Sequence, residues 1–168
     1  MPRPVPCIAV IGPGRDADAR ELSGAEEAGA AIAEAGATLL CGGLGGVMEA
    51  ACRGARSRGG LTVGLLPGSH RADANGWVVV ALPTGLGEAR NALIVRCADA
   101  LVAVGGGWGT LSEIALALRA GLPVVGVDTW QLARDGIAVD GVVGAADGRA
   151  AVEEAMRRLG HGAQPRVS

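Results

Sequence analysis

The densest concentration of residues able to do chemistry is Gly105-Gly106-Gly107-Trp108-Gly109-Thr110-Leu111-Ser112-Glu113, which follows an apolar run and opens a helical one. Its glycines leave little side chain and many free amides, the composition of a phosphate cradle at a helix start. Thr110 suits an N-cap whose hydroxyl also meets a phosphate oxygen. Glu113 has two readings. Thr110-x-x-Glu113 fits a capping box, in which the carboxylate only bonds back to the Thr110 amide. Alternatively, the carboxylate faces the ligand as an acid, a base or a stabiliser of an oxocarbenium-like centre. Trp108 either stacks on a ring of the ligand or plugs the gap between loop and helix.

Three further segments share this character. Gly42-Gly43-Leu44-Gly45-Gly46 lies between a strand and a helix, where glycines either let backbone approach a ligand, with the helix start offering amides to an anion, or only let the turn pack tightly. It does not match G-x-G-x-x-G, so no dinucleotide fingerprint follows. Gly12-Pro13-Gly14 is a turn after the first strand, and Gly12 and Gly14 join the candidate ligand-binding set. Pro83-Thr84-Gly85-Leu86-Gly87-Glu88-Ala89-Arg90-Asn91 enters a helix with Arg90 near its start. A cation in the first turn opposes the helix dipole and needs a partner: a phosphate, Glu113, or neighbouring Glu88 at the surface.

The elements that must position these residues alternate. Strand-like runs are Val5 to Ile11, Thr38 to Cys41, Leu61 to Leu66, Trp77 to Leu82, Ala100 to Val104 and Pro123 to Val127. Helical stretches are Ala17 to Ala35 (capped by Asp16, stopped by Gly36), Val47 to Ser57, Leu86 to Ala98, Thr110 to Ala120 and Arg149 to Leu159. Ser69 to Gly76 reads as a loop, and Asp128 to Gly141 as ambiguous. Apolar strands without alternation are expected of parallel strands covered on both faces. The expectation is one α/β domain over residues 1–168, a Rossmann-like, doubly wound, mainly parallel sheet binding its ligand at the carboxyl ends of the strands.

Composition narrows the chemistry. With 49 % hydrophobic and 19 % charged residues the chain is globular. No apolar run approaches the ~18 residues of a membrane span, and the first residues, Met1 to Cys7, lack a leader's apolar core, so a cytoplasmic protein is expected. A net charge of -2 disfavours nucleic acid. All 15 basic residues are arginine, which excludes a pyridoxal-phosphate Schiff base and a P-loop lysine. Cys7, Cys41, Cys52 and Cys97 form no C-x-x-C pair and read as four buried reduced thiols. His70 and His161 have no metal-ligand neighbours at useful spacing, so no metal site is expected.

The ordered set Gly42-Gly43-Leu44-Gly45-Gly46-Val47-Met48-Glu49, Thr84-Gly85, Arg90-Asn91 and Gly106-Gly107-Trp108-Gly109-Thr110-Leu111-Ser112-Glu113 resembles the Lonely Guy family. That superfamily also holds molybdenum-cofactor carrier proteins and proteins mislabelled lysine decarboxylases; its hallmark is P-G-G-x-G-T-x-x-E. The resemblance runs from about Val5 to Val127. In the phosphoribohydrolase members the hallmark Glu and an upstream Arg are taken as catalytic, roles that map onto Glu113 and Arg90. They cleave cytokinin nucleoside monophosphates to base and ribose 5-phosphate. Gly105 replaces the hallmark Pro, and Asn91 follows Arg90 where the hydrolases commonly have Lys. The sequence is more similar to the carrier-like subgroup, related to DNA-processing protein A. The resemblance thus implies a homo-oligomeric protein, with no required cofactor, holding a nucleotide, phosphate or molybdenum cofactor as ligand. The alternative it implies is the hydrolase.

Overall fold

Short apolar runs form strands, all largely buried except the edge strand Val80–Pro83, because helices cover both faces of the sheet. In the computed structural model, which describes residues 4–161, these are β1 (Cys7–Ile11), β2 (Thr38–Cys41), β3 (Thr62–Leu66), β4 (Val80–Pro83), β5 (Ala100–Val104) and β6 (Val124–Val127). A two-residue pair, β7 (Ala133–Arg134) and β8 (Ile137–Ala138), forms an antiparallel hairpin, and β9 (Val142–Gly144) returns to the main sheet. The sheet runs β4-β3-β2-β1-β5-β6-β9 with every pairing parallel. The ends of the expected domain, residues 1–3 and 162–168, lie outside the described residues, and with them the first three residues of the Met1 to Cys7 stretch.

The helices are α1 (Ala19–Glu34), α2 (Val47–Ser57), α3 (Arg90–Cys97), α4 (Trp108–Arg119) and α5 (Gly148–His161). Alternate β1 residues divide between two cores. Ile8 and Val10 pack with residues of α1, α2 and α5, whereas Ala9 and Ile11 pack with residues of α3 and α4. This is a doubly wound α/β sheet of the Rossmann-like type. Strand order reverses between β1 and β5, and such a switch point opens a crevice at the carboxyl ends of the strands. No helix among the described residues is long and apolar enough to cross a membrane.

Helices α1 and α2 pack backbone to backbone. A Cβ on Gly29 would lie 2.8 Å from the Ala51 carbonyl carbon, and one on Gly54 would lie 2.8 Å from that of Glu26. Only glycine permits this approach.

Several expectations are corrected. The cap of α1 is Asp18, not Asp16: Asp18 Oδ1 accepts from the Arg20 and Glu21 amides, and Glu21 closes a capping box. Asp16 instead turns the chain at φ 58. The stretch expected to be helical from Leu86 becomes α3 only at Arg90, because Gly85 and Gly87 are left-handed (φ 65 and 55). The fourth strand spans Val80–Pro83, not Trp77 to Leu82. Ser69 to Gly76 contains one 3-10 turn, Arg71–Asp73. Of the four thiols only Cys41 and Cys52 are buried; Cys7 is half-buried and Cys97 exposed. The His161 side chain lies outside the described residues.

Candidate functional site

The turn after β5 starts α4 earlier than its sequence suggests. Gly105 and Gly106 carry positive φ (61 and 158), and Gly107 is the N-cap, so the helix begins at Trp108. Thr110 is therefore the third helical residue and no side chain caps the end. The capping box expected of Thr110 and Glu113 is absent, since the glycines complete the turn three residues upstream and carry Glu113 into the second turn. The first intrahelical bond of α4 runs from the Leu111 N–H to the Gly107 carbonyl at 3.0 Å. The amides of Trp108, Gly109 and Thr110 thus have no acceptor within the helix.

The loop after β6 holds this turn from outside. The Gly105 N–H donates to the Val127 carbonyl at 2.9 Å, and the Thr129 hydroxyl donates back to the Gly105 carbonyl. Trp130 Nε1 donates to the Gly107 carbonyl at 3.2 Å. Trp108 is 79 % exposed and tilts against Trp130 with ring centroids 5.4 Å apart. Thr129 and Trp130 lie in a stretch without periodicity, and no sequence signal marked them.

A cavity of about 300 Å³ opens at the switch point. Among the sequence-predicted residues, Gly12, Gly14, Gly42, Arg90, Asn91, Gly107, Gly109, Thr110 and Glu113 line it. Arg15, a cation that no motif indicated, and Met48, which the glycine-rich motif contains without a role assigned to it, also line the cavity. Gly43, Gly45, Gly46, Thr84, Gly85, Gly106 and Trp108 are not in its lining. Gly43 (φ 76) packs against Gly64 and Leu66, and Gly45 and Gly46 lie against Gly14. Thr84 Oγ1 donates to the Leu66 carbonyl at 2.8 Å, the Gly85 N–H donates to the Gly68 carbonyl at 2.9 Å, and Gly106 lies against Trp130.

Arg90 and Glu113 set the electrostatics. Arg90 is only 8 % exposed, which removes the surface pairing with exposed Glu88. Its Nη1 donates to the Gly42 carbonyl at 2.7 Å and to the Leu65 carbonyl, whereas its Nε is buried without a partner. Burial lowers the Arg90 pKa, against the attraction of Glu113 and Cys41. Glu113 is 7 % exposed, and burial pushes its pKa up to about 7 although Arg90 pulls it down. A Cβ on Gly42 would lie 2.7 Å from Met48 Sδ and overlap the guanidinium, so glycine is needed there for close approach. The arrangement can bind an anion between a helix start and a desolvated guanidinium, with a protonatable carboxyl alongside.

The model of the SLOG cluster4 family matches residues 5–140. An uncharacterized protein of Archaeoglobus fulgidus is 49 % identical over 115 residues, covering 68 % of this chain and 74 % of its own. The molybdenum cofactor binding protein of Rippkaea orientalis superposes with TM-score 0.82 at 34 % identity, covering 93 % of this chain and 98 % of that one. The Moco carrier protein of Chlamydomonas reinhardtii gives 0.82 at 39 %, with 95 % and 100 % covered. DNA processing protein A of Streptococcus pneumoniae gives 0.65 at 16 %, covering 89 % and 62 %, a likeness of fold alone.

Proposed function

Since this chain belongs to the SLOG cluster4 family, we propose that it is a cytoplasmic, carrier-like binding protein for a phosphorylated, nucleotide-like ligand of the molybdenum-cofactor type. The observation that carries this reading is Arg90, whose side chain lines a cavity with the start of α4 and whose buried Nε has no protein partner. An unpaired buried donor on a charged group costs more than about 1–3 kcal/mol, and a phosphate oxygen would satisfy it. The amides of Trp108, Gly109 and Thr110 would hold the remaining phosphate oxygens, with Asn91 and the Thr110 hydroxyl alongside. Trp108, outside the cavity lining, would meet the ring system of a ligand extending from it. The cavity is at the lower end of ligand-pocket volumes, roughly 300–1,000 Å³, so the phosphate end fits within and the rest projects outward. The similarity to carrier proteins at 34 % and 39 % identity over nearly the whole chain supports the ligand class.

A second reading has its own observation. A buried carboxyl with pKa near 7 beside a guanidinium suits general acid–base work at neutral pH. Glu113 would then activate water or stabilise the ribosyl cation of a nucleoside 5'-monophosphate while Arg90 orients it, releasing base and ribose 5-phosphate.

Incubation with AMP separates the two. The carrier reading expects no ribose 5-phosphate, while AMP or the molybdenum cofactor raises the melting temperature. Turnover that disappears in Glu113→Gln would replace it with the hydrolase. Pairing of two copies through α3 and α4, whose groove includes Val95, Leu116 and Leu122, belongs to the same proposal; sedimentation as a monomer would remove it.

A further inference from the structure

A pair of thiols stands directly behind the cavity wall. Cys41 ends β2 and Cys52 sits in the second turn of α2; both are buried, and their Sγ atoms are 3.5 Å apart as free thiols. They lie eleven positions apart in the sequence, and the strand–turn–helix unit folds them together. The pair is tied to the ligand site through one short stretch of backbone. Cys41 Sγ accepts the Gly43 N–H at 3.2 Å, and the intervening Gly42 lines the cavity and gives its carbonyl to Arg90. No slack exists there, as the close approach of Gly42 to Met48 and Arg90 shows.

We propose that Cys41 and Cys52 form an oxidisable dithiol, a modification site for a small peroxide, whose disulfide displaces the Gly42-Gly43 turn and loosens the hold on the ligand. Cys41 is the attacking sulfur: the hydrogen bond from Cys52, the Gly43 amide and the Arg90 guanidinium favour its thiolate, against burial and Glu113. It attacks one peroxide oxygen, the O–O bond breaks and water leaves, giving a sulfenic acid on Cys41. Cys52, held protonated by its bond to Cys41 and by burial, with Asn75 and Glu49 facing it, then attacks the Cys41 sulfur, and its proton leaves with the sulfenic hydroxyl as a second water. Two thiols and one hydrogen peroxide become one disulfide and two waters. A dithiol reductant reverses the change by exchange. A disulfide requires about 2.05 Å between sulfurs, so β2 and α2 must adjust to draw the atoms together. The adjustment falls on Gly42 and Gly43, and the Gly43 N–H loses a thiol acceptor. The effect on ligand rests on the carrier reading above; the formation of the bond does not.

The test uses Cys7→Ala/Cys97→Ala protein, in which only this pair remains, with peptide mapping of the unmodified chain as a second measurement. After hydrogen peroxide, denaturation and alkylation, the expected product has lost two hydrogens and gained no alkyl groups. Its AMP affinity by calorimetry falls by about tenfold or more and returns with dithiothreitol. Cys52→Ala in the same background forms no such bond. Two alkylated thiols after peroxide, or a disulfide that leaves AMP affinity unchanged, overturn the proposal. Reduced protein that binds neither AMP nor phosphate defeats the carrier reading instead. The dithiol is then judged on the mass change and on a peroxide-dependent shift in melting temperature; failure of either overturns it.

Discussion

Single residues of this site carry charge and backbone constraints that can be measured one at a time. Glu113 binds its proton more tightly folded than unfolded, because burial raises its pKa from the ordinary 4.5 to about 7. Between those values the folded state holds more protons, so stability falls as pH rises from about 4.5 and levels off above about 7. The loss across that window is roughly 3 kcal/mol. Glu113→Gln removes it. Thermal melts at pH 5 and pH 8 should show wild type losing several degrees relative to the variant, and parallel profiles would refute the assignment. Gly105 offers a test of a different kind. Its φ of 61 and its N–H bond to Val127 are both incompatible with proline, which the related hallmark carries at this position. Gly105→Pro should cost about 3 kcal/mol or more, read as a lower urea midpoint. An unchanged midpoint would mean that the turn tolerates the hallmark backbone.

At the scale of elements, what could be read from the sequence followed periodicity, and what could not followed glycine geometry. Thr38–Cys41, Val47–Ser57 and Ala100–Val104 have the bounds their patterns predict, since apolar runs and helix formers agree there with burial. The starts of α1, α3 and α4 do not. Each follows a turn whose left-handed residues (Asp16, Gly87, Gly105) fix where the helix can begin, which propensity does not encode. Arg90 stood out because a cation at a helix start opposes the helix dipole and needs a partner. Glu113 was ambiguous because its capping signature depends on a boundary three residues away. The Cys41–Cys52 pair and the bracing by Thr129 and Trp130 arise only from tertiary contact. The contact between α1 and α2 has the same origin and a clear consequence. Gly54→Ala gains helix propensity, about 1 kcal/mol, yet its methyl group must push against the Glu26 backbone. Overpacking costs about 1–3 kcal/mol or more, so the helices should separate and the urea midpoint fall. A midpoint equal to or above that of wild type would show that the two backbones can move apart freely.

For the whole molecule, the reversal of strand order decides where a ligand can act. The cavity takes Gly12 and Gly14 after β1, Gly42 after β2, Arg90 from α3 and the start of α4 after β5. A ligand there bridges both halves of the sheet, so its binding energy adds to global stability and not to one loop. At a hundredfold excess over Kd this amounts to about 2.7 kcal/mol, a rise of roughly 5–10 °C in Tm for a chain of this size. Gly107→Val isolates the cavity from the fold: a Cβ at this extended position meets no atom within 4 Å, so the new side chain enters open space at the cradle. The variant should therefore melt as wild type does without ligand and gain little from AMP or ribose 5-phosphate. If instead it gains as much as wild type, the phosphate does not sit at the start of α4. If wild type itself gains nothing from AMP, ribose 5-phosphate or inorganic phosphate, the unpaired Arg90 Nε has some other purpose than holding an anion.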